Sequence, residues 1–217
     1  DMGPKTPALR RLRAEFLGLF VLAPVAVAVL LPAQVMFPAL LAVTGLGIWL
    51  LARTPGFHWA DLWRGWDAVR PGPVLAFAGI TLAVSLAAVY LFAPGAAFGL
   101  VREQPALLAL IVLLYPLLSV LPQELVFRPL FFHRYGPILP SGAALGLNAA
   151  IFSLAHLMYW SVIVAAMTFF GGLAFGWAYR KRGSFPLAVV LHSVAGWVVF
   201  TVGLGVFFYS GNVQRPF

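Results

Sequence analysis

The chain has 217 residues, of which 62% are hydrophobic and 9% are charged, with a net charge of +8 and no cysteine. A soluble domain averages about 45–50% apolar and about 25% charged residues, so this composition excludes an ordinary soluble domain and predicts an integral membrane protein with lipid as its solvent. The lack of cysteine excludes disulfides, a cysteine nucleophile and thiolate metal sites. Basic residues in such a chain orient membrane helices, so we expect membrane lipid and no nucleic acid as a partner.

Seven segments are apolar enough over about 20 residues to cross a bilayer. In chain order they are 16–32, 34–52, 73–93, 106–121 (continuing past Pro122), 141–160, 161–179 and 186–208. No internal repeat or low-complexity linker separates them. The sequence therefore predicts an all-α, polytopic transmembrane helical bundle of about seven spans, organised as a single membrane domain over 1–217.

The connection at 53–72 reads RTPGFHWADLWRGWDAVRPG and differs from the spans in its mixture of tryptophan and charge. Trp59, Trp63 and Trp66 follow one another at helical spacing, which predicts an amphipathic interfacial helix with its indole rings at headgroup depth. A substrate-gating element is the alternative interpretation.

The distribution of lysine and arginine predicts the orientation. With the N-terminus in the cytoplasm, the outer segments hold only Arg102 and Arg215. The inner segments then hold Lys5, Arg10, Arg11, Arg13, Arg53, Arg64, Arg70, Arg128, Arg134, Arg180, Lys181 and Arg182. This asymmetry is typical of a cytoplasmic N-terminus, and Gly-, Ala- and Arg-rich usage suggests a bacterial inner membrane.

A few ionisable residues fall inside apolar sequence, where charge is costly and usually functional. Glu124 and Arg128 are four residues apart in the fourth span, while His156 and His192 lie in the fifth and seventh. They could be a structural ion pair and two packing histidines. Their occurrence in three spans favours the other interpretation, a polar cavity enclosed by the fourth, fifth and seventh spans and open toward the cytoplasm.

A carboxylate and imidazoles can hold and deprotonate water, and a second imidazole can stabilise an oxyanion. Ser153 and Ser193 neighbour the histidines in sequence but diverge from them on a helix, which argues against a serine hydrolase. Two histidines and a glutamate could hold zinc, although the HExxH arrangement of zinc proteases is absent. We therefore expect no cofactor and no metal ligand, with zinc as the minority alternative.

Three short motifs carry a family resemblance. They are QELVFR at 123–128, FSLAH at 152–156 and HSVAG at 192–196. Their order and spacing resemble EExxxR, FxxxH and HxxxN/D of the CPBP intramembrane endopeptidases, which are similar to type II CAAX prenyl proteases and include the Abi/bacteriocin-processing group. The resemblance covers about 106–200, the protease-like core.

The resemblance implies roles for the matching positions. His156, in the motif that begins at Phe152, would help to activate water. His192 would polarise the scissile carbonyl, and Arg128 would pair with Glu124.

Two positions depart from the family pattern. Gln123 stands where the first glutamate is expected, and Gly196 stands where Asn or Asp is expected. Glu124 could have become the base, position 123 could have been altered to silence an enzyme, or the chain could be a natural pseudoenzyme. Asn148 shares a helix face with Phe152 and His156, so it could replace the missing amide, or simply bond between helices.

The sequence thus predicts an intramembrane endopeptidase, a hydrolase that uses glutamate and histidine to activate water and cleaves near the cytoplasmic side. Its substrates would be membrane-anchored proteins or peptides with a hydrophobic or lipidated tail. The alternatives are a catalytically silent binding or scaffold protein, an inactivated enzyme variant, or a proton-coupled transporter, although no repeated halves with broken helices are visible.

Overall fold

The computed structural model describes residues 6–217, with side chains from Ala8 onward; Lys5 of the predicted inner basic set lies outside the described residues. Six helices in this part of the chain are long and apolar enough to cross a membrane. They are α1 (Ala8–Leu30), α2 (Ala33–Ala52), α3 (Pro71–Phe92), α4 (Pro105–Arg134), α6 (Val162–Arg180) and α7 (Phe185–Val202), with the shorter α5 (Ala144–Tyr159) between α4 and α6. The predicted polytopic all-α bundle is confirmed.

The fifth predicted span, 141–160, is shorter than a membrane-spanning helix. Its α-helical part is Ala144–Leu154, followed by a 3₁₀ turn at Leu157–Tyr159. Eleven residues rise about 16 Å at ~1.5 Å each, against a hydrocarbon core of about 30 Å. Within residues 6–217 there are therefore six helices of spanning length, and a shorter helix stands where the sequence predicted a further span.

The predicted amphipathic interfacial helix is wrong in its secondary structure. The segment forms two 3₁₀ turns, Trp59–Trp63 and Trp66–Ala68, separated by Gly65 in the left-handed region at φ +81°. A Cβ at Gly65 would lie 2.6 Å from the carbonyl oxygen of Gly183, so glycine permits both the turn and the close approach. The three tryptophans remain exposed, as expected at headgroup depth.

Glycines bring α5 and α6 into close contact. A Cβ at Gly172 would lie 3.0 Å from Cα of Ala149, and one at Gly176 would lie 3.0 Å from Oδ1 of Asn148. Such close approach of two helices is typical of small residues in a membrane. It also sets α5 deep enough in the bundle for Asn148 and Phe152 to be buried.

Side-chain contacts show that the segments predicted to lie on the inner side meet at one end of the bundle. Arg134, at the end of α4, pairs with Glu15 of α1 at 2.7 Å and donates to Oγ1 of Thr54 at 3.4 Å. The hydroxyl of Ser184, just before α7, donates to the carbonyl of Gly65 at 2.7 Å. We call this the arginine-rich end. The opposite end contains the turn at Leu31, the segment 93–104 and the residues after Val202.

Candidate active site

α4 changes its helical form around the predicted motif. It is π-helical over Pro116–Val120 and Val126–Arg134, and one ordinary α-helical turn, Leu121–Leu125, lies between them. Prolines lack the N–H that an α-helix needs and clash with the preceding turn, and π-turns commonly occur at functional sites. Gln123 and Glu124 occupy the ordinary turn and, as neighbours in a helix, point about 100° apart.

Glu124 and Arg128 form a fully buried ion pair. Nε of Arg128 lies 2.7 Å from Oε2 of Glu124, and both side chains are 0% exposed. The guanidinium also donates to Oδ1 of Asn148 and lies over the rings of Phe152 and Phe175, at 5.1 and 5.7 Å from their centroids. The predicted i,i+4 pairing is therefore present, inside the protein and away from lipid.

The same carboxylate holds His192. Nδ1 of His192 lies 2.8 Å from Oε1 of Glu124, and a carboxylate can only accept, so Nδ1 carries the hydrogen. The imidazole stacks on Phe175, with centroids 4.6 Å apart and planes at 11°. These contacts fix the ring and leave Nε2 available to a second partner.

Gln123 and His156 face a different space, a cavity of about 110 Å³. Nδ1 of His156 lies 2.7 Å from the carbonyl oxygen of Phe152, so Nδ1 carries the hydrogen and Nε2 is an acceptor. The amide nitrogen of Gln123 donates to Oγ of Ser119 at 2.9 Å. Tyr159 adds a phenol to the lining. A polar group that can accept a proton therefore stands beside an amide that can position water.

Phe152 connects the two groups. Its ring centroid lies 4.8 Å from that of His156 and 5.5 Å from that of His192. The structure thus brings both histidines to one aromatic side chain, with Glu124 buried behind His192.

The cavity itself differs from the predicted one. Its lining comes from α1, α2, α4 and the end of α5, and includes neither Glu124 nor any residue of α7. None of the lining residues belongs to the segments at the arginine-rich end. The difference arises because Glu124 is turned into the protein by Arg128 and His192.

Asn148 has both ends of its amide engaged. Nδ2 donates to the carbonyl of Phe127 at 2.7 Å, and Oδ1 accepts from Arg128. This placement favours the alternative that Asn148 bonds between helices, as polar residues in membrane helices often do.

Tyr115, which the sequence reasoning did not single out, occupies the space next to Gly196. A Cβ at Gly196 would lie 2.5 Å from Cζ and 2.8 Å from Cδ1 of Tyr115. The hydroxyl of Tyr115 lies 3.4 Å from Nε2 of His192. In the sequence, Tyr115 is recognisable only as a tyrosine within an apolar segment, and such a residue alone does not indicate a functional site.

Within residues 6–217, no three side chains of His, Asp or Glu are grouped so that they could hold a metal ion.

Comparison with protein families gives a match over the second half of the chain. The sequence model of the Rce1-like family, described as type II CAAX prenyl endopeptidase Rce1-like, matches residues 104–198. This segment runs from just before α4 to most of α7 and contains all three motifs and Tyr115. Comparison with curated proteins gives no match, and comparison with solved structures gives none either.

Proposed function

Residues 104–198 of this integral membrane protein belong to the Rce1-like family of type II CAAX prenyl endopeptidases, and from this premise we propose that the protein is an intramembrane endopeptidase. The observation that carries the proposal is the pairing of two positions at one cavity. His156 and Gln123, which the resemblance suggests as site residues, both line it. Peptide hydrolysis needs a water molecule next to a proton acceptor, and these two residues offer an amide to hold the water and an imidazole to accept its proton.

In the proposed reaction, His156 is the general base. Its Nδ1–H is fixed on the Phe152 carbonyl at 2.7 Å, which leaves the Nε2 lone pair available for a water held by the Gln123 amide. The water oxygen attacks the scissile carbonyl carbon while its proton passes to Nε2. The oxyanion is stabilised by His192, which lies outside the cavity lining but contacts the same Phe152 ring as His156. The tetrahedral intermediate breaks its C–N bond, and His156 returns the proton to the leaving amine.

Glu124 has a supporting role in this proposal. Its oxygens accept from Arg128 at 2.7 Å and from His192 at 2.8 Å, and it does not line the cavity. We therefore assign it to orienting His192 rather than to deprotonating water. This arrangement supports a fourth account of Gln123, outside the three considered from the sequence: an amide that positions water beside a histidine base.

The proposed substrate is a membrane protein or peptide with a hydrophobic or lipidated tail. Three lining residues of the cavity, Phe37, Leu41 and Leu118, are 51%, 47% and 63% exposed. In a bilayer such residues face acyl chains, so an apolar tail can reach the cavity from the lipid between α2 and α4. We also infer a bacterial inner membrane with the N-terminus in the cytoplasm, because positive charge is concentrated at the arginine-rich end.

The experiment is proteolysis in detergent micelles with a panel of peptides that carry hydrophobic or prenylated C-terminal tails. The parent chain should cleave at least one of them, and His156→Ala should lower kcat by about 100-fold or more because a general base contributes about 10²–10⁴. His58→Ala is the matched control, since His58 is an exposed histidine outside the site. Thermal unfolding of each variant verifies that the fold is retained.

Gln123→Glu separates the alternatives. If the parent is inactive and only Gln123→Glu cleaves, the chain is an inactivated enzyme. If neither cleaves but tailed peptides bind in the same micelles, the protein is a silent binding or scaffold member. Equal activity of His156→Ala and the parent would refute the proposed base.

A further inference from the structure

We propose that Tyr115 supplies the hydrogen-bonding group that Gly196 lacks, so that the phenol hydroxyl binds the carbonyl oxygen of the substrate as it becomes an oxyanion. This inference rests on the proposed endopeptidase function. It assigns a catalytic residue outside the three motifs.

The first argument is steric. Gly196 lies four residues after His192 on α7, so both positions present themselves on the same helix face. At Gly196 a Cβ would meet Cζ of Tyr115 at 2.5 Å and Cδ1 at 2.8 Å, far inside van der Waals contact. The Tyr115 ring therefore occupies the volume in which an Asn or Asp side chain at this position would lie. The ring of Tyr115 can pack here only because residue 196 is a glycine, so the two residues together replace an Asn or Asp at position 196.

The second argument is chemical. The phenol oxygen of Tyr115 lies 3.4 Å from Nε2 of His192, the nitrogen that Glu124 does not occupy. An Asn side chain at 196 would have offered an amide donor beside the same imidazole. A phenol hydroxyl offers both a donor and an acceptor, so it can replace that amide and also accept from His192.

These contacts form a chain from Arg128 through Glu124 and His192 to Tyr115. Nδ1–H of His192 donates to Glu124, and Nε2 is the nitrogen that faces the phenol. The phenol hydroxyl can turn its hydrogen from Nε2 to the developing oxyanion as the substrate carbonyl reacts. The separation of 3.4 Å is long for such a bond, and catalytic hydrogen bonds often tighten only when substrate is bound.

The position of Tyr115 along α4 agrees with this role. Tyr115 ends the ordinary helix Pro105–Tyr115, and the π-helical segment Pro116–Val120 follows directly. The wider turn brings Tyr115 to α7 while Gln123, farther along the same helix, faces the cavity. The same helix thus carries both the amide that lines the cavity and the phenol that contacts His192.

The kinetic test uses Tyr115→Phe, which keeps the ring and removes only the hydroxyl. Loss of one oxyanion donor should lower kcat by about 10²–10³-fold, with KM nearly unchanged because the bond forms mainly in the transition state. Tyr90→Phe is the matched control, since Tyr90 lies in α3 and its side chain is exposed. An unchanged kcat in Tyr115→Phe overturns the proposal.

The exchange itself can be reversed. Gly196→Asn alone should fail to cleave, because its side chain collides with the Tyr115 ring. Tyr115→Ala combined with Gly196→Asn makes room for the amide and should recover kcat to within about tenfold of the parent. If the double variant folds as the parent does and is as inactive as Tyr115→Phe, Tyr115 does not replace the residue at 196 and the proposal falls.

A spectroscopic measurement keeps this inference separate from the proposed function. The ¹⁵N resonances of histidine side chains, recorded in micelles without substrate, should show Nε2 of His192 shifted in Tyr115→Phe while His156 is unaffected. Absence of that shift overturns the Tyr115–His192 contact even if the protein cleaves peptides. A shift in a chain that cleaves no peptide retains the contact and refutes only the enzyme function.

Discussion

Replacing Arg128 by methionine tests whether the buried ion pair organises the site. Methionine fills a similar apolar volume but leaves Glu124, which is 0% exposed, with the His192 contact at 2.8 Å and no guanidinium. It also removes the donor to Oδ1 of Asn148. Removing one partner of a buried pair typically costs about 3–5 kcal/mol, and we expect a loss in that range for the free energy of unfolding.

The chain contains a matched control with the same i,i+4 spacing. Arg11 pairs with Glu15 at 2.9 Å, but the Arg11 side chain is 78% exposed. Glu15 also keeps its second partner, Arg134, at 2.7 Å. Arg11→Met should therefore change the free energy of unfolding by no more than about 0.5 kcal/mol.

The assay is denaturation in mixed micelles with increasing dodecyl sulfate, followed by the fluorescence of the seven tryptophans. Glu124→Leu together with Arg128→Met removes both charges and should recover more than half of the loss, because an apolar pair needs no compensating charge. If Arg128→Met and Arg11→Met lowered the free energy of unfolding equally, the reasoning would be refuted, because burial of the ion pair would then have no effect on the cost of breaking it.

Three further predictions concern the packing and chemistry of the same region. Gly172→Ala should lower the free energy of unfolding by about 1–3 kcal/mol, because the added Cβ would lie 3.0 Å from Cα of Ala149. Gly79→Ala is the control: no atom lies within 4 Å of a Cβ at Gly79, so this variant should show no loss in the same denaturation assay. Asn148→Ala should cost about 1–3 kcal/mol by leaving the Phe127 carbonyl and Arg128 unpaired, yet the surviving folded protein should keep the KM of the parent in peptide cleavage. A metal chelator should leave the cleavage rate unchanged, because Glu124 is already occupied by Arg128 and His192; a loss that zinc restores would contradict this.

Local spacing was sufficient for several features of this molecule. The four-residue separation of Glu124 and Arg128 predicts their pairing because such residues share a helix face, and the pair is present at 2.7 Å. The long apolar runs predict α1 to α4, α6 and α7 because a bilayer requires a fixed length of helix. Their ends differ by a few residues; α7, for example, ends at Val202 because Gly203 turns the chain at φ +99°.

Other features depend on contacts between distant residues and have no local signal. The tryptophans of 59–66 fit a helical face in sequence, but Gly65 adopts a left-handed conformation that interrupts the helix. The Tyr115 ring occupies the space beside Gly196 that a larger side chain would fill. This contact depends on the packing of α4 against α7, which the sequence alone does not show. The cavity is lined by apolar residues of α1 and α2 that carry no chemical pattern.

The two π-helical segments of α4 have a consequence for how this site can change. A π-turn holds one residue more than an α-turn, so each acts as a single inserted residue whose removal lets the helix close up again. Deleting one residue within Pro116–Val120 would rotate Tyr115 by about 100° relative to Gln123 without replacing either side chain. Insertion or deletion of one residue in this segment would thus change which side chains contact the substrate. Such a change could alter substrate specificity in a way that point substitutions do not.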